Sequence, residues 1–145
     1  MSGWGKDNVL NYYTYNRSSI TDLYKSEISL LKKINKNNVK NILDSGCAAG
    51  NFFNIFRSFF NKKIKYKGID FEKRFIKIAN KKYKKVKNAT FSIQKGSRLK
   101  YKKNYADLVF CTSVLHHVYN YKKIINELIR VSSRYIFIDS PRIHF

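Results

Sequence analysis

The sequence predicts a doubly wound α/β fold on a mostly parallel sheet, and three observations carry the prediction. Short apolar runs of strand length alternate along the chain with longer stretches whose apolar residues recur at helical spacing, the pattern of βαβ units. Some of these runs are apolar throughout, as strands covered by helices on both faces must be. The 145 residues, 43% of them hydrophobic, suit one domain with one core.

Ser19-Ile20-Thr21-Asp22 has the form of a helix N-cap with an acid three residues on. Ile20, Leu23, Tyr24, Ile28, Leu31 and Ile34 follow at helical spacing, which predicts one N-terminal amphipathic helix. Residues 1–38 are read as an N-terminal segment and helix of the same domain as residues 39–145. The run Val39 to Leu43 predicts a buried strand that ends at Asp44 and feeds the small-residue turn Ser45-Gly46-Cys47-Ala48-Ala49-Gly50. Asn51 to Phe60, too apolar to lie on water, predicts a helix packed on the sheet. Ile64 to Asp70 reads as a second strand, followed by a helix with Phe75, Ile78, Ala79 and Tyr83 inward and lysines outward. Ala89 to Gln94 alternates as a strand and Ala106 to Thr112 is continuously apolar. Tyr121 to Val131 carries a helical stripe of Ile124, Ile125, Leu128 and Ile129, and Tyr135 to Asp139 closes the series as a strand.

Thirty Lys and Arg against nine Asp and Glu give a net charge of +21. That charge suggests a phosphate-bearing partner, because Lys and Arg gain affinity by releasing condensed counterions. It also has a plainer source. The basic residues are mostly scattered lysines, Asn, Ile, Tyr and Phe are abundant, and Pro occurs once, all as A- and T-rich codons would give. A basic binding face and a merely lysine-rich exterior both stay open. No apolar run approaches the roughly eighteen residues of a membrane span, and Met1 to Leu10 lacks the apolar core of a secretion signal. Cys47 and Cys111 form no CxxC pair and are too few for a structural zinc site, so a reducing cytoplasm and no metal are expected.

Asp44, Asp70 and Asp139 fall at strand ends, on the rim where open α/β sheets hold ligands. The Gly46 to Gly50 turn lets backbone approach a ligand at the start of the next helix. Asp70 lies twenty residues beyond Gly50, an offset at which an acid accepts ribose hydroxyls, which points to a nucleoside-containing cofactor. The turn lacks the second and third glycines of a GxGxxG dinucleotide fingerprint. Asp44-Ser-Gly46-Cys-Ala48-Ala-Gly50 instead resembles motif I of class I S-adenosylmethionine-dependent methyltransferases. Ile42 to Gly50, Gly68-Ile69-Asp70, Ala106-Asp107-Leu108-Val109 and Val114-Leu115-His116-His117 follow in the order and spacing of the type 11 methyltransferase family, over about Ile42 to Ser140.

The resemblance implies a Rossmann-like sheet of strand order 3-2-1-4-5 and S-adenosyl-L-methionine as cofactor. It implies that the loop holding Gly46, Cys47, Ala48 and Gly50 passes under the methionine part, that Asp44 holds its cationic amino end, and that Asp70 binds the ribose hydroxyls. Phe71 would cover the adenine, with Ser97, Arg98 and Ser113 completing the site. Gly96-Ser97 stands where the family often has Gly-Asp, and Ala48 replaces a frequent glycine. The implied acceptor is a small molecule presenting oxygen, nitrogen or carbon. An RNA acceptor and a truncated cofactor-binding module without activity of its own are the alternatives.

Several residues carry two readings. Asp70 also suits a helix cap, and both cysteines suit packing. On a helix, adjacent His116 and His117 would point apart, leaving packing or a general base for one of them. Tyr12, Tyr13, Tyr15 and Arg17 form either a surface cluster or a cover over the pocket. The family's sheet continues beyond the fifth strand with a β-hairpin, whereas this sequence ends at Ser140-Pro141-Arg142-Ile143-His144-Phe145. Either the sequence is a fragment or a truncated gene product, or a second copy or partner subunit completes the sheet along the edge of that strand.

Overall fold

The computed structural model describes residues 6–140, so the reading of Pro141 to Phe145 lies outside the described residues. Five strands form one parallel sheet: β1 (Asn41–Ser45), β2 (Lys65–Asp70), β3 (Ala89–Ile93), β4 (Ala106–Thr112) and β5 (Ser132–Asp139). Their order is β3-β2-β1-β4-β5, as expected. The five helices are α1 (Asp7–Tyr15), α2 (Lys25–Lys32), α3 (Phe52–Phe59), α4 (Lys73–Lys82) and α5 (Tyr121–Val131).

Alternation along the strands splits the core in two. Ile42, Tyr66, Phe91, Leu108, Phe110 and Phe137 pack with α2, α3 and α4 on one face. Leu43, Ile69, Val109 and Cys111 pack with Leu128 and Val131 of α5 on the other. Phe110 is the centre of the first layer, with ring centroids 4.7 Å from Phe52, 4.9 Å from Phe56 and 4.7 Å from Phe137.

The central strands pair across the point where strand order reverses, with Ile42 opposite Leu108 and Asp44 opposite Phe110. Their amino ends are clasped reciprocally. Asp107 Oδ2 accepts from the N–H groups of Lys40 and Asn41 at 2.9 and 3.1 Å, and the Asp107 N–H donates to Asn41 Oδ1 at 2.7 Å.

The N-terminal region departs from the expected single helix. The Ser19/Asp22 cap is present, Asp22 Oδ2 accepting from the N–H groups of Ser18 and Ser19 at 2.9 Å, but it closes only a 3-10 turn, Ile20–Asp22. Leu23 and Tyr24 are extended, and α2 restarts behind them because the Glu27 carboxylate accepts from the Tyr24 N–H at 2.8 Å. The buried Glu27 is also paired with Arg17. The expectations missed α1, none of whose residues is fully buried, Tyr13 packing edge-on against Phe75 of α4. Smaller shifts follow the same logic. β1 runs on to Ser45, placing Asp44 inside the strand; Ile76, and not Ile78, joins Phe75 and Ala79 inside α4; and β5 starts three residues early.

Candidate functional site

The carboxyl ends of β1, β2 and β4 open onto one cavity of about 640 Å3, counting the space open to solvent. Gly46, Cys47, Ala48, Asp70, Phe71 and Ser113 line it together with Tyr13, Asn16, Arg17, Asn51, Phe52, Thr112, Val114 and His117. A second hollow adjoins it, sharing Gly46, Asp70, Phe71 and Val114 and adding Gln94, Gly96 and Ser97 from the end of β3.

Three non-glycine residues with left-handed backbone line the main cavity: Arg17, Ala48 and Ser113, at φ of 59°, 45° and 55°. Such conformations cost free energy and persist only where neighbours hold them. The holders are visible at two of them. The Ala48 N–H donates to Asp70 Oδ2 at 2.9 Å, and the Ser113 N–H donates to the Asp139 carbonyl at 2.8 Å. Gly46 has φ of 91°, and a Cβ on it would stand 2.1 Å from Val114 Cγ2, so only glycine lets the loop approach the turn after β4 this closely.

Asp70, the last residue of β2, is 7% exposed and accepts from the Ala48 and Glu72 N–H groups at 2.9 Å each. Burial pushes its carboxyl up, while those N–H groups pull the other way. Asp44 is more deeply placed, under the loop and not among the cavity-lining residues, and its carboxylate accepts the Tyr66 hydroxyl proton. Burial drives its carboxyl up to about 7, against the lowering by Tyr66 and with a further rise from Asp70.

The folded state therefore keeps a proton on Asp44 between about pH 4 and 7 that the unfolded chain has lost. This contribution to stability is full below pH 4 and lost as pH rises through 7. Asp44→Asn should remove that dependence. From pH 5 to 8 the variant is expected to gain about 2 to 3 kcal/mol relative to wild type, checked by urea unfolding at both pH values. Parallel curves would show that Asp44 titrates normally.

The remaining sequence-read residues separate. Phe71 is 52% exposed beside Asp70, its ring open to a ligand. Gly50 and Arg98 line neither hollow. Gly50 turns its carbonyl to the Tyr83 hydroxyl at 3.0 Å, and the Arg98 carbonyl accepts from Gln94 Nε2 at 2.6 Å. Cys47 and Cys111 are buried free thiols, both pushed up by burial. His116 and His117 lie in a 3-10 turn, Leu115–His117, with ring centroids 3.7 Å apart, so they do not point apart as a helix would require. Only His117 reaches the cavity, while His116 Nδ1 lies 3.2 Å from Ser140 Oγ. Burial lowers both imidazoles, and His116 lowers His117 further.

Two contributors went unread. Tyr66 in β2 donates its hydroxyl to the Asp44 carboxylate beneath the loop. Asn51 ties the N-terminal segment to the loop: its amide donates to the carbonyls of Tyr13, Thr14 and Asn16 at 3.1, 3.3 and 2.7 Å, and its Oδ1 accepts from Lys82 Nζ at 2.7 Å. This clamp brings Tyr13 and Arg17 to the cavity wall, while Tyr15 stays exposed. Among the described residues there is no cluster of three or more metal-ligating side chains, and no helix is long and apolar enough to cross a membrane.

The same fold occurs in a SAM dependent methyltransferase from Aquifex aeolicus, with a TM-score of 0.67 and 24% identity over 80% of this chain and 63% of that one. It also occurs in a putative methyltransferase crystallised with the Trm112 methyltransferase activator of Haloferax volcanii, with a TM-score of 0.64 and 13% identity over 84% and 47%. An uncharacterised protein of Methanocaldococcus jannaschii is 33% identical over 130 residues, 88% of this chain. The chain spans about half of that relative, 52% of its length. The sequence profile described as methyltransferase domain matches residues 36–144, from just before β1 to beyond β5, and so takes in the whole sheet and the cavity at its rim. On that match the chain belongs to the methyltransferase domain family.

Proposed function

We propose that the chain is an S-adenosylmethionine-dependent methyltransferase whose acceptor is a small molecule presenting an oxygen, nitrogen or carbon nucleophile. The observation that carries the reading is the convergence of the Gly46–Ala48 backbone, Asp70, Phe71 and Ser113 on one cavity. Asp70 would take the ribose hydroxyls, Phe71 the adenine face, and Gly46 and Cys47 the methionine part. Arg17 also lines the cavity, its guanidinium paired with the buried Glu27, and adds fixed positive charge at the wall. Asp44 contributes negative charge from beneath the loop, and a cation above it favours the ionised form.

When bound, S-adenosylmethionine supplies an already activated methyl group, so position and alignment are the protein's main contribution. The partly enclosed cavity, walled by Tyr13, Phe52 and Val114, suits a small acceptor. His117 is the group placed to accept the acceptor's proton, since burial keeps its imidazole neutral at pH 7. His116 packs against its ring, the centroids 3.7 Å apart. The unpaired thiols agree with a reducing, cytoplasmic setting.

Calorimetry with S-adenosylhomocysteine, followed by its release from S-adenosylmethionine in a small-molecule extract, tests the proposal. Binding and release are expected, with His117→Ala slowing release about 100-fold or more at unchanged cofactor affinity. Absence of binding would end the cofactor assignment. Binding without release from any extract would favour the alternative, a cofactor-binding module that works with a partner.

A further inference from the structure

The link from β3 to β4, residues 94–105, contains no helix. Among the described residues α5 is consequently the only α-helix on its side of the sheet; Leu99 and Tyr101 of the link pack in one cluster with Ile69 at the carboxyl end of β2, and the amino-terminal part of the β2–β3 half has no helical cover. The sequence of that amino-terminal part is unlike that of a covered parallel strand. In β2 the buried Tyr66 and Gly68 alternate with Lys65 and Lys67, and in β3 the buried Ala89 and Phe91 alternate with Thr90 and Ser92. Register places Asn41 beside Lys65 and Lys67 beside Thr90. A parallel sheet is ordinarily apolar on both faces, so this amino-terminal part suits a polar occupant and not a packed helix.

At the amino ends of these strands the face forms a groove of about 840 Å3, open to solvent, bordered by Lys65, Lys67, Lys87, Thr90 and Tyr105. Tyr105 is 38% exposed, and the ring of Tyr101 supports it at a centroid distance of 4.5 Å. Asp107, the acid nearest to Tyr105 in sequence, has its carboxylate engaged by the Lys40 and Asn41 N–H groups and does not border the groove. Three lysines around a shallow channel, with a backed aromatic ring at its rim, match what a single-stranded nucleic acid offers: phosphates at regular spacing and bases with open faces.

We propose that this groove binds single-stranded nucleic acid, Lys65, Lys67 and Lys87 meeting phosphates and Tyr105 stacking on a base. The groove lies at the end of the strands opposite the cavity, so the nucleic acid is a docking partner and not the methyl acceptor. The inference stands apart from the proposed activity.

The test is fluorescence anisotropy with a labelled twelve-nucleotide oligouridylate across a salt series. Wild type is expected to bind, and Lys65→Gln/Lys67→Gln/Lys87→Gln should weaken binding at least tenfold. The slope of log K against log salt should fall by about 2, from three lost contacts at roughly 0.7 each. Lys73→Gln/Lys77→Gln/Lys81→Gln removes equal charge from exposed positions of α4 and should change affinity less than threefold. Tyr105→Ala should weaken binding several-fold with the salt slope intact. All variants should keep wild-type melting and S-adenosylhomocysteine affinity. The proposal is overturned if wild type does not bind, if both lysine triples lose equally, or if a duplex of the same length competes as well as the single strand.

Discussion

Asp70→Ala should weaken S-adenosylhomocysteine binding at least 100-fold. The carboxylate has two duties that alanine cannot share. It is the acidic acceptor at the end of β2 available to a ribose diol, and hydrogen bonds to a charged group contribute about 1.5 to 3 kcal/mol each; two of them amount to two decades or more. It also holds the Ala48 N–H, and with it the left-handed backbone of the loop that lines the cavity. Asp70→Asn keeps an acceptor oxygen but not the charge and is expected to fall between the two. Calorimetry on variants of normal melting temperature decides the matter, and an unchanged affinity for Asp70→Ala would remove this residue from the site.

Phe110→Ala carries the largest expected loss of stability. Phe110 is fully buried in the central strand β4 and touches rings contributed by α3 and β5. Removing a buried Phe costs about 3 to 5 kcal/mol, out of a total near 5 to 15 kcal/mol for a domain of ordinary stability. The urea midpoint should drop steeply, and the melting temperature by roughly 10 to 20 °C. Phe71→Ala is the matched control. Its ring is half in water, so stability should stay within about 0.5 kcal/mol while cofactor affinity falls. A loss below 1 kcal/mol for Phe110→Ala would mean that the α2–α3 layer is held some other way.

These two residues also mark what could be read from sequence. The bounds of β4 and α5 emerge unchanged from the Ala106 to Thr112 run and the Tyr121 to Val131 stripe, because burial on both faces and on one face leave different periodicities. The N-terminal region misled for a physical reason. Its apolar spacing from Ile20 to Ile34 is helical, yet the backbone breaks at Leu23 and Tyr24. The Glu27 carboxylate that restarts the helix is held by Arg17, a pairing that periodicity does not encode. Asp70, Phe71 and Gly46 were legible because a motif fixes their offsets. Tyr66 and Asn51 were not, since their roles arise from the register of β2 on β1 and from the docking of α1.

The reversal of strand order between β1 and β4 divides the chain into two halves, each continuous in sequence and joined along one seam. Residues 66 apart must meet before Asp107 can clasp Asn41 at the amino end of that seam, and contacts so distant in sequence form slowly. The cavity lies at the opposite end of the seam. There the cavity takes Gly46, Asp70 and Phe71 from the first half and Thr112, Ser113 and His117 from the second. A ligand spanning it would tie the two halves together, and its binding energy would resist their separation. Amide exchange in β4 should accordingly slow on ligand binding more than exchange at the outer strand β3.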